Sequence, residues 1–105
     1  MFNYSYTNDV NFRAPVNTFY EHINGGGHYY TLLSGEEQDY VGNWWNDRIS
    51  SIRIAPRTLV IIFQHRGFKG VSATFENPYD SYWLVNLLEG NWNDKVSSIK
   101  TYKIG

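Results

Sequence analysis

Two six-residue strings carry most of the chemistry in this chain: Asn46-Asp47-Arg48-Ile49-Ser50-Ser51 and Asn93-Asp94-Lys95-Val96-Ser97-Ser98. Each follows a Trp and runs into a β-like segment, Ile52-Arg53-Ile54 or Ile99-Lys100-Thr101. Both are crowded with side-chain oxygen, and oxygen-only donors suit a hard cation such as calcium. Calcium takes about six to eight oxygens from carboxylates, carbonyls, hydroxyls and water. A hydroxyl is a weak ligand by itself, so a Ser-rich site needs backbone carbonyls and an Asp. Two copies of the string imply a duplicated site. If the string is extended, side chains alternate between faces, so Asp47 points away from Ser50 and Asp94 away from Ser97. One loop then serves two ions, and two loops side by side complete each other's sites.

The elements that must position these strings follow from the pattern around them. Two stretches align, residues 16–54 and 59–104. Each opens with a β-like run (17–22, 60–65) and a Gly-rich turn, Gly25-Gly26-Gly27 or Gly67-Phe68-Lys69-Gly70. A second strand follows (28–33, 71–75), then a polar loop (34–39, 76–81), a third strand, the hexapeptide and a final strand. Four strands per unit is the Greek-key count. Residues 84–88 have a helix-compatible composition, but the parallel with Asp39-Tyr40-Val41 favours strand and loop. Ala55-Pro56-Arg57-Thr58 reads as the linker, since Pro cannot sit in a central strand. Residues 1–15 match neither unit; alternation of Phe2, Tyr4 and Tyr6 with polar residues suggests an ordered arm or an extra edge strand. The expectation is one domain over 16–105, all-β, with two Greek keys forming a two-sheet sandwich.

Composition agrees. At 105 residues the chain suits one core, and 18% aromatic content with Gly-rich turns leans to a sandwich or barrel. A net charge of -1 without a basic run argues against nucleic acid and anionic membrane surfaces. With no Cys, disulfides and Cys-based metal or redox sites are excluded. No apolar run approaches the roughly twenty residues of a membrane span, and no signal peptide is visible. Compartment stays open.

The doubled Asn/Asp-Asn/Asp-x-x-Ser/Thr-Ser pattern at the ends of two Greek keys resembles the double clamp of microbial βγ-crystallin domains. Phe63-Gln64-His65-Arg66-Gly67-Phe68-Lys69-Gly70 also fits that family's folded hairpin: aromatic, four residues, aromatic, any residue, Gly. In the first unit Tyr20 and Gly27 fit, but Gly25 stands where the second aromatic belongs, which implies a less well packed hairpin. The resemblance spans 16–104 and implies strand exchange between the sheets and two calcium ions. It implies that Ser50 and Ser97 give side-chain oxygens, and that the carbonyls of Arg48 and Lys95 join the same ions. Asp47 and Asp94 would reach to the ion of the opposite string. Glu21 and Gln64 would offer backbone carbonyls, and Ser51 and Ser98 would bond to the hairpins. Asn46 and Asn93 are either direct ligands or braces. With about one carboxylate per site, dissociation constants are expected in the roughly micromolar to millimolar range.

Other readings compete. The strings could be plain turns, which favour Asn, Asp and Ser for local hydrogen bonding. His22 and His65, after Glu21 and Gln64, raise a zinc reading, but without Cys or tight His spacing they read as strand residues near the hairpins. Trp44, Trp45, Trp83 and Trp92 could stack on sugar; packing is the simpler use, with Trp45 and Trp92 wedged beneath their loops and Trp44 exposed. Glu36, Glu37 and Asp39 read as a solvated acidic patch. The expectation is a monomeric, non-enzymatic calcium-binding module. The alternatives are a carbohydrate-binding module using exposed Trp, or an enzyme-inhibitor or toxin-like module whose protein partner docks on the loop around Glu76 to Asp80.

Overall fold

Strand alternation decides what this chain buries. In β1 (Val16–His22) Asn17 and Phe19 face inward, and in β5 (Thr58–His65) Thr58, Val60 and Ile62 do. The computed structural model describes residues 15–105. The remaining strands are β2 (Gly26–Leu33), β3 (Glu37–Gln38), β4 (Ser51–Ile54), β6 (Lys69–Asn77), β7 (Trp83–Asn86) and β8 (Ser98–Lys103). They form two four-stranded antiparallel sheets, ordered β2-β1-β4-β7 and β3-β8-β5-β6. Each sheet thus holds three strands from one stretch and one from the other, the exchange implied by the resemblance. Between the sheets lies a core of Phe19, Ile49, Ile52, Ile54, Val60, Ile62, Val96 and Ile99, with Val41 and Leu87 beside them. Burying each such side chain stabilises the fold by about 1.5–3 kcal/mol.

Several boundaries differ from the sequence expectation. The third strand of the first stretch is a two-residue segment inside the polar loop, at Glu37–Gln38, before Asp39-Tyr40-Val41. Its two residues pair with Ile99 and Lys100 of β8, and Tyr30 on β2 holds it from the other sheet through a 2.6 Å hydroxyl bond to Gln38 Oε1. Burial pushes the Tyr30 phenol pKa up. Residues 84–88 divide between β7 and a short 3-10 turn, Leu87–Gly90. The linker is shorter than expected, because Thr58 already opens β5. The expected arm, with Phe2, Tyr4 and Tyr6, lies outside the described residues, apart from Pro15.

Near the linker, buried polar side chains bond to one another and to the backbone. The Asn17 amide donates to Leu32 O at 3.1 Å and its Oδ1 accepts the Ala55 N–H at 2.8 Å. Ser34 and Thr58 share a 2.7 Å hydroxyl bond. With these groups satisfied, the chain can cross between the sheets without stranded polar atoms.

Candidate metal centre

The hexapeptides lie together at the Tyr20–His22 end of β1. Their fourth residues, Ile49 and Val96, are fully buried and anchor both strings to the core. Their second residues, Asp47 and Asp94, both have a left-handed backbone, φ 61°. Asp tolerates that region better than most residues, because a short polar side chain can bond locally. The strings are therefore bent, not extended. The expected alternation within each string does not hold; the turn, not the pleat, aims the aspartates.

The two bends exchange hydrogen bonds. Asp47 N–H donates to Val96 O at 3.2 Å, and Asp94 N–H donates to Ile49 O at 3.1 Å. Each bend also hangs on a neighbouring strand in the same way: Ser50 N–H bonds Tyr20 O and Ser97 N–H bonds Phe63 O, both at 2.9 Å. The sixth residues tie down the hairpins. Ser51 Oγ donates to His22 O at 2.6 Å and accepts the Gly25 N–H at 3.1 Å. Ser98 Oγ donates to His65 O at 2.6 Å and accepts the Phe68 N–H at 3.0 Å. Both hydroxyls are fully buried and face the hairpins, as the resemblance implied.

Two crevices flank the paired bends. One, about 400 Å³, is lined by Glu21, His22, Asn46, Asp47, Arg48, Ser50 and Asp94. The other, about 410 Å³, is lined by Asn46, Asp47, Gln64, His65, Asp94, Lys95 and Ser97. Asp47 and Asp94 border both, so each string supplies oxygen to each crevice. Nine of the ten residues picked from sequence line one or both; Asn93 lines neither, whereas Asn46 lines both. Across the strings, Ser50 Oγ donates to Asp94 Oδ1 at 3.3 Å, while Ser97 Oγ donates to Asn46 Oδ1 at 2.6 Å. The crevices are thus related but not equivalent.

The donor set fits a hard cation better than a soft one. No group of three or more His, Asp or Glu side chains among the described residues is arranged to hold a metal. The crevice linings offer hydroxyl, amide and carboxylate oxygen beside the single imidazoles of His22 and His65, a predominantly oxygen set that suits a hard cation.

Sequence reasoning missed what surrounds the crevices. His28 Nδ1 lies 2.9 Å from Glu21 Oε1, and the His28 N–H donates to the same oxygen at 3.3 Å. This contact holds the Glu21 carboxyl below its usual range. Arg48 stacks its guanidinium 4.8 Å from the Trp44 ring centroid, and Trp44 meets His28 and Trp45 edge-on. The rings of His22 and His65 pack on Gly27 and Gly70, where an added Cβ would fall 2.6 and 2.5 Å from the respective ring carbons. The matching His-to-Gly spacing in both stretches was the available clue. The hairpins differ: Phe63 and Phe68 pair edge-on at 5.6 Å, whereas the Tyr20 ring lies against Gly25 and pairs with Tyr29.

Residues 13–82 match the family model for Beta/Gamma crystallin. The chain belongs to the βγ-crystallin family. It is similar to a structure solved in work on the evolution of the eye-lens βγ-crystallin domain fold, at 26% identity over 89% of each chain, TM-score 0.72. A βγ-crystallin domain from Flavobacterium johnsoniae is 30% identical over 85% of this chain and 96% of its own, TM-score 0.64. A clostrillin double mutant with two serines changed to histidine, in complex with nickel, is 26% identical over 84% and 98%, TM-score 0.64. No curated protein matches the chain.

Proposed function

We propose that this βγ-crystallin chain binds two calcium ions, one in each crevice, and is stabilised by them. Ser50, Asp94 and the carbonyls of Arg48 and Glu21 would hold one ion. Ser97, Asp47 and the carbonyls of Lys95 and Gln64 would hold the other, with Asn46 bracing or ligating between them. Calcium supplies the positive charge that the facing oxygens lack when empty; no catalytic step is proposed. The observation that carries this reading is the reciprocal pair of backbone bonds, Asp47 to Val96 and Asp94 to Ile49, which sets the strings side by side with an aspartate at each crevice.

An ion bound only by the folded state stabilises it by a few kcal/mol at about a hundredfold excess over its dissociation constant. The test is calorimetric calcium titration of the wild type beside Asp47→Ala, Asp94→Ala and the double variant. Two binding events, weakened together by either change, support the reading. No heat and an unchanged melting curve in excess calcium would refute it.

A further inference from the structure

Away from the paired bends, a crevice of about 260 Å³ opens between the end of β6 and the start of β7, lined by Glu76, Asn77, Tyr79, Ser81, Tyr82 and Trp83. Its aromatics are unusually bare: Tyr79 is 72% exposed, Tyr82 48% and Trp83 43%. Single exposed aromatics are ordinary on a protein surface; three gathered around one crevice are less so and invite a ligand.

The loop that carries them is built in advance. Asn77 is 2% exposed and bonds Ile54 O, Ala55 O and Ser81 O at 3.3, 3.1 and 2.9 Å, while its Oδ1 accepts the Tyr79 N–H at 3.2 Å. Tyr79 O accepts the Arg57 N–H at 3.2 Å, and Arg57 pairs with Asp80 at 2.8 Å. Trp83 is braced edge-on by Phe75 at 6.4 Å. A loop held this way loses little freedom when a ligand arrives.

We infer that this crevice binds one uncharged pyranose residue of a glycan. An aromatic face is electron-rich and takes the C–H face of a sugar ring. Glu76 would accept strong hydrogen bonds from hydroxyls of the bound sugar. The volume lies just under the roughly 300–1,000 Å³ of pockets for drug-sized molecules, which leaves room for a single ring. Charge narrows the choice further: among the described residues no Lys or Arg lines the crevice and nearby Arg57 is paired with Asp80, so the carboxylate of a uronic or sialic acid would face Glu76 with no counter-charge in the lining. A polyproline helix needs an aromatic groove several residues long, not one ring-sized pit.

The test is calorimetric titration of the full chain with cellotriose, xylotriose and chitotriose, in chelator and again in calcium, beside a uronic acid trimer and a proline-rich peptide. Binding of at least one neutral trimer is expected, with none of the acidic trimer. Trp83→Ala should weaken it about tenfold or more, Trp83→Phe should restore part of it, and Ser50→Ala with Ser97→Ala should leave it unchanged. Melting curves of the Trp83 variants separate lost binding from lost folding. Silence from every neutral trimer, binding that survives Trp83→Ala, or binding of the peptide instead would overturn the inference. None of these outcomes depends on calcium.

Discussion

The Ser50 hydroxyl donates to a carboxylate oxygen of Asp94 at 3.3 Å, across 44 positions of chain. One string's fifth residue thus touches the other string's second. Two oxygens at that separation can share one cation at about 2.3–2.6 Å from each. Asp94 and Asp47 both border both crevices, so neither crevice belongs to one string alone. Asp94→Ala is therefore expected to weaken calcium binding at least about tenfold in the Ser50 crevice and measurably in the other. Calorimetry resolves the two steps. Loss confined to a single step, with the second untouched, would show that the crevices act separately.

Ser51 and Ser98 test structure apart from ion binding. Each hydroxyl is buried and bonded to a hairpin carbonyl at 2.6 Å. Removing it deletes a buried hydroxyl and leaves a part-buried carbonyl and N–H without their partner. Ser51→Ala and Ser98→Ala should each destabilise the protein by about 1–3 kcal/mol, read from chemical denaturation in chelator. Ion affinity should change less than in Ser50→Ala or Ser97→Ala.

How far the sequence reached depends on the kind of force involved. The β1 and β5 runs were legible as strands from their β-like composition, but not their inward faces, since Val60-Ile61-Ile62-Phe63 is apolar throughout and polar Asn17 faces the core beside Phe19. The paired strings were legible because four of their six residues recur unchanged and the other two, Arg48/Lys95 and Ile49/Val96, keep their character. Their shape was not, since a left-handed Asp47 or Asp94 leaves no mark on periodicity. The short β3 was hidden for a similar reason. Glu37-Gln38 is strand only because β8 offers an edge and Tyr30 a hydrogen bond. The shell around Glu21 came from side chains meeting across loops, His28 and Trp44 among them, and no local spacing announces such meetings.

Gly70 illustrates a close approach that only glycine allows. Its φ is +82°, and a Cβ there would sit 2.5 Å from a His65 ring carbon. Gly70→Ala should destabilise the fold by about 1–3 kcal/mol through backbone strain, with the clash added. His65→Ala in the same chain relieves the clash and leaves the strain. A double-mutant cycle in denaturant should therefore show positive coupling between the two positions. Simple additivity would mean that the ring moves aside freely.

The Glu21 carboxyl sets an acid-side dependence. Its hydrogen bonds with His28 hold its pKa below the ordinary glutamate value. A carboxylate with a lowered folded-state pKa stabilises the protein above its unfolded-state value, and loses that contribution as pH falls through the folded-state value. Glu21→Gln removes the term; the glutamine already present at the matching Gln64 suggests that the position accommodates it. In chelator, the melting temperatures of wild type and Glu21→Gln should differ most near neutral pH and converge as pH falls through the lowered folded-state pKa. The contact is solvent-facing, so added salt should shrink the difference.

Arg48 separates what a backbone carbonyl gives from what a side chain takes away. Its guanidinium rests over Trp44 at 4.8 Å while the residue lines a crevice proposed to hold a cation. A positive charge beside that crevice repels calcium, although stacking on Trp44 fixes where the charge sits. Arg48→Ala keeps the carbonyl and deletes the charge. Calcium binding should tighten several-fold at low ionic strength, and the gain should fade as salt screens the repulsion. Stability without calcium should fall by about 0.5–1 kcal/mol as the cation–π contact is lost. Lys95→Ala should repeat the affinity gain in the other crevice. Because Trp44 lies within reach of the Arg48 head, the calcium-dependent fluorescence that Trp44→Phe removes from the four-Trp signal reads the wild-type titration at this crevice. Weaker calcium binding in Arg48→Ala would instead assign the guanidinium an organising role in that crevice, through the Trp44 stack that holds the bend.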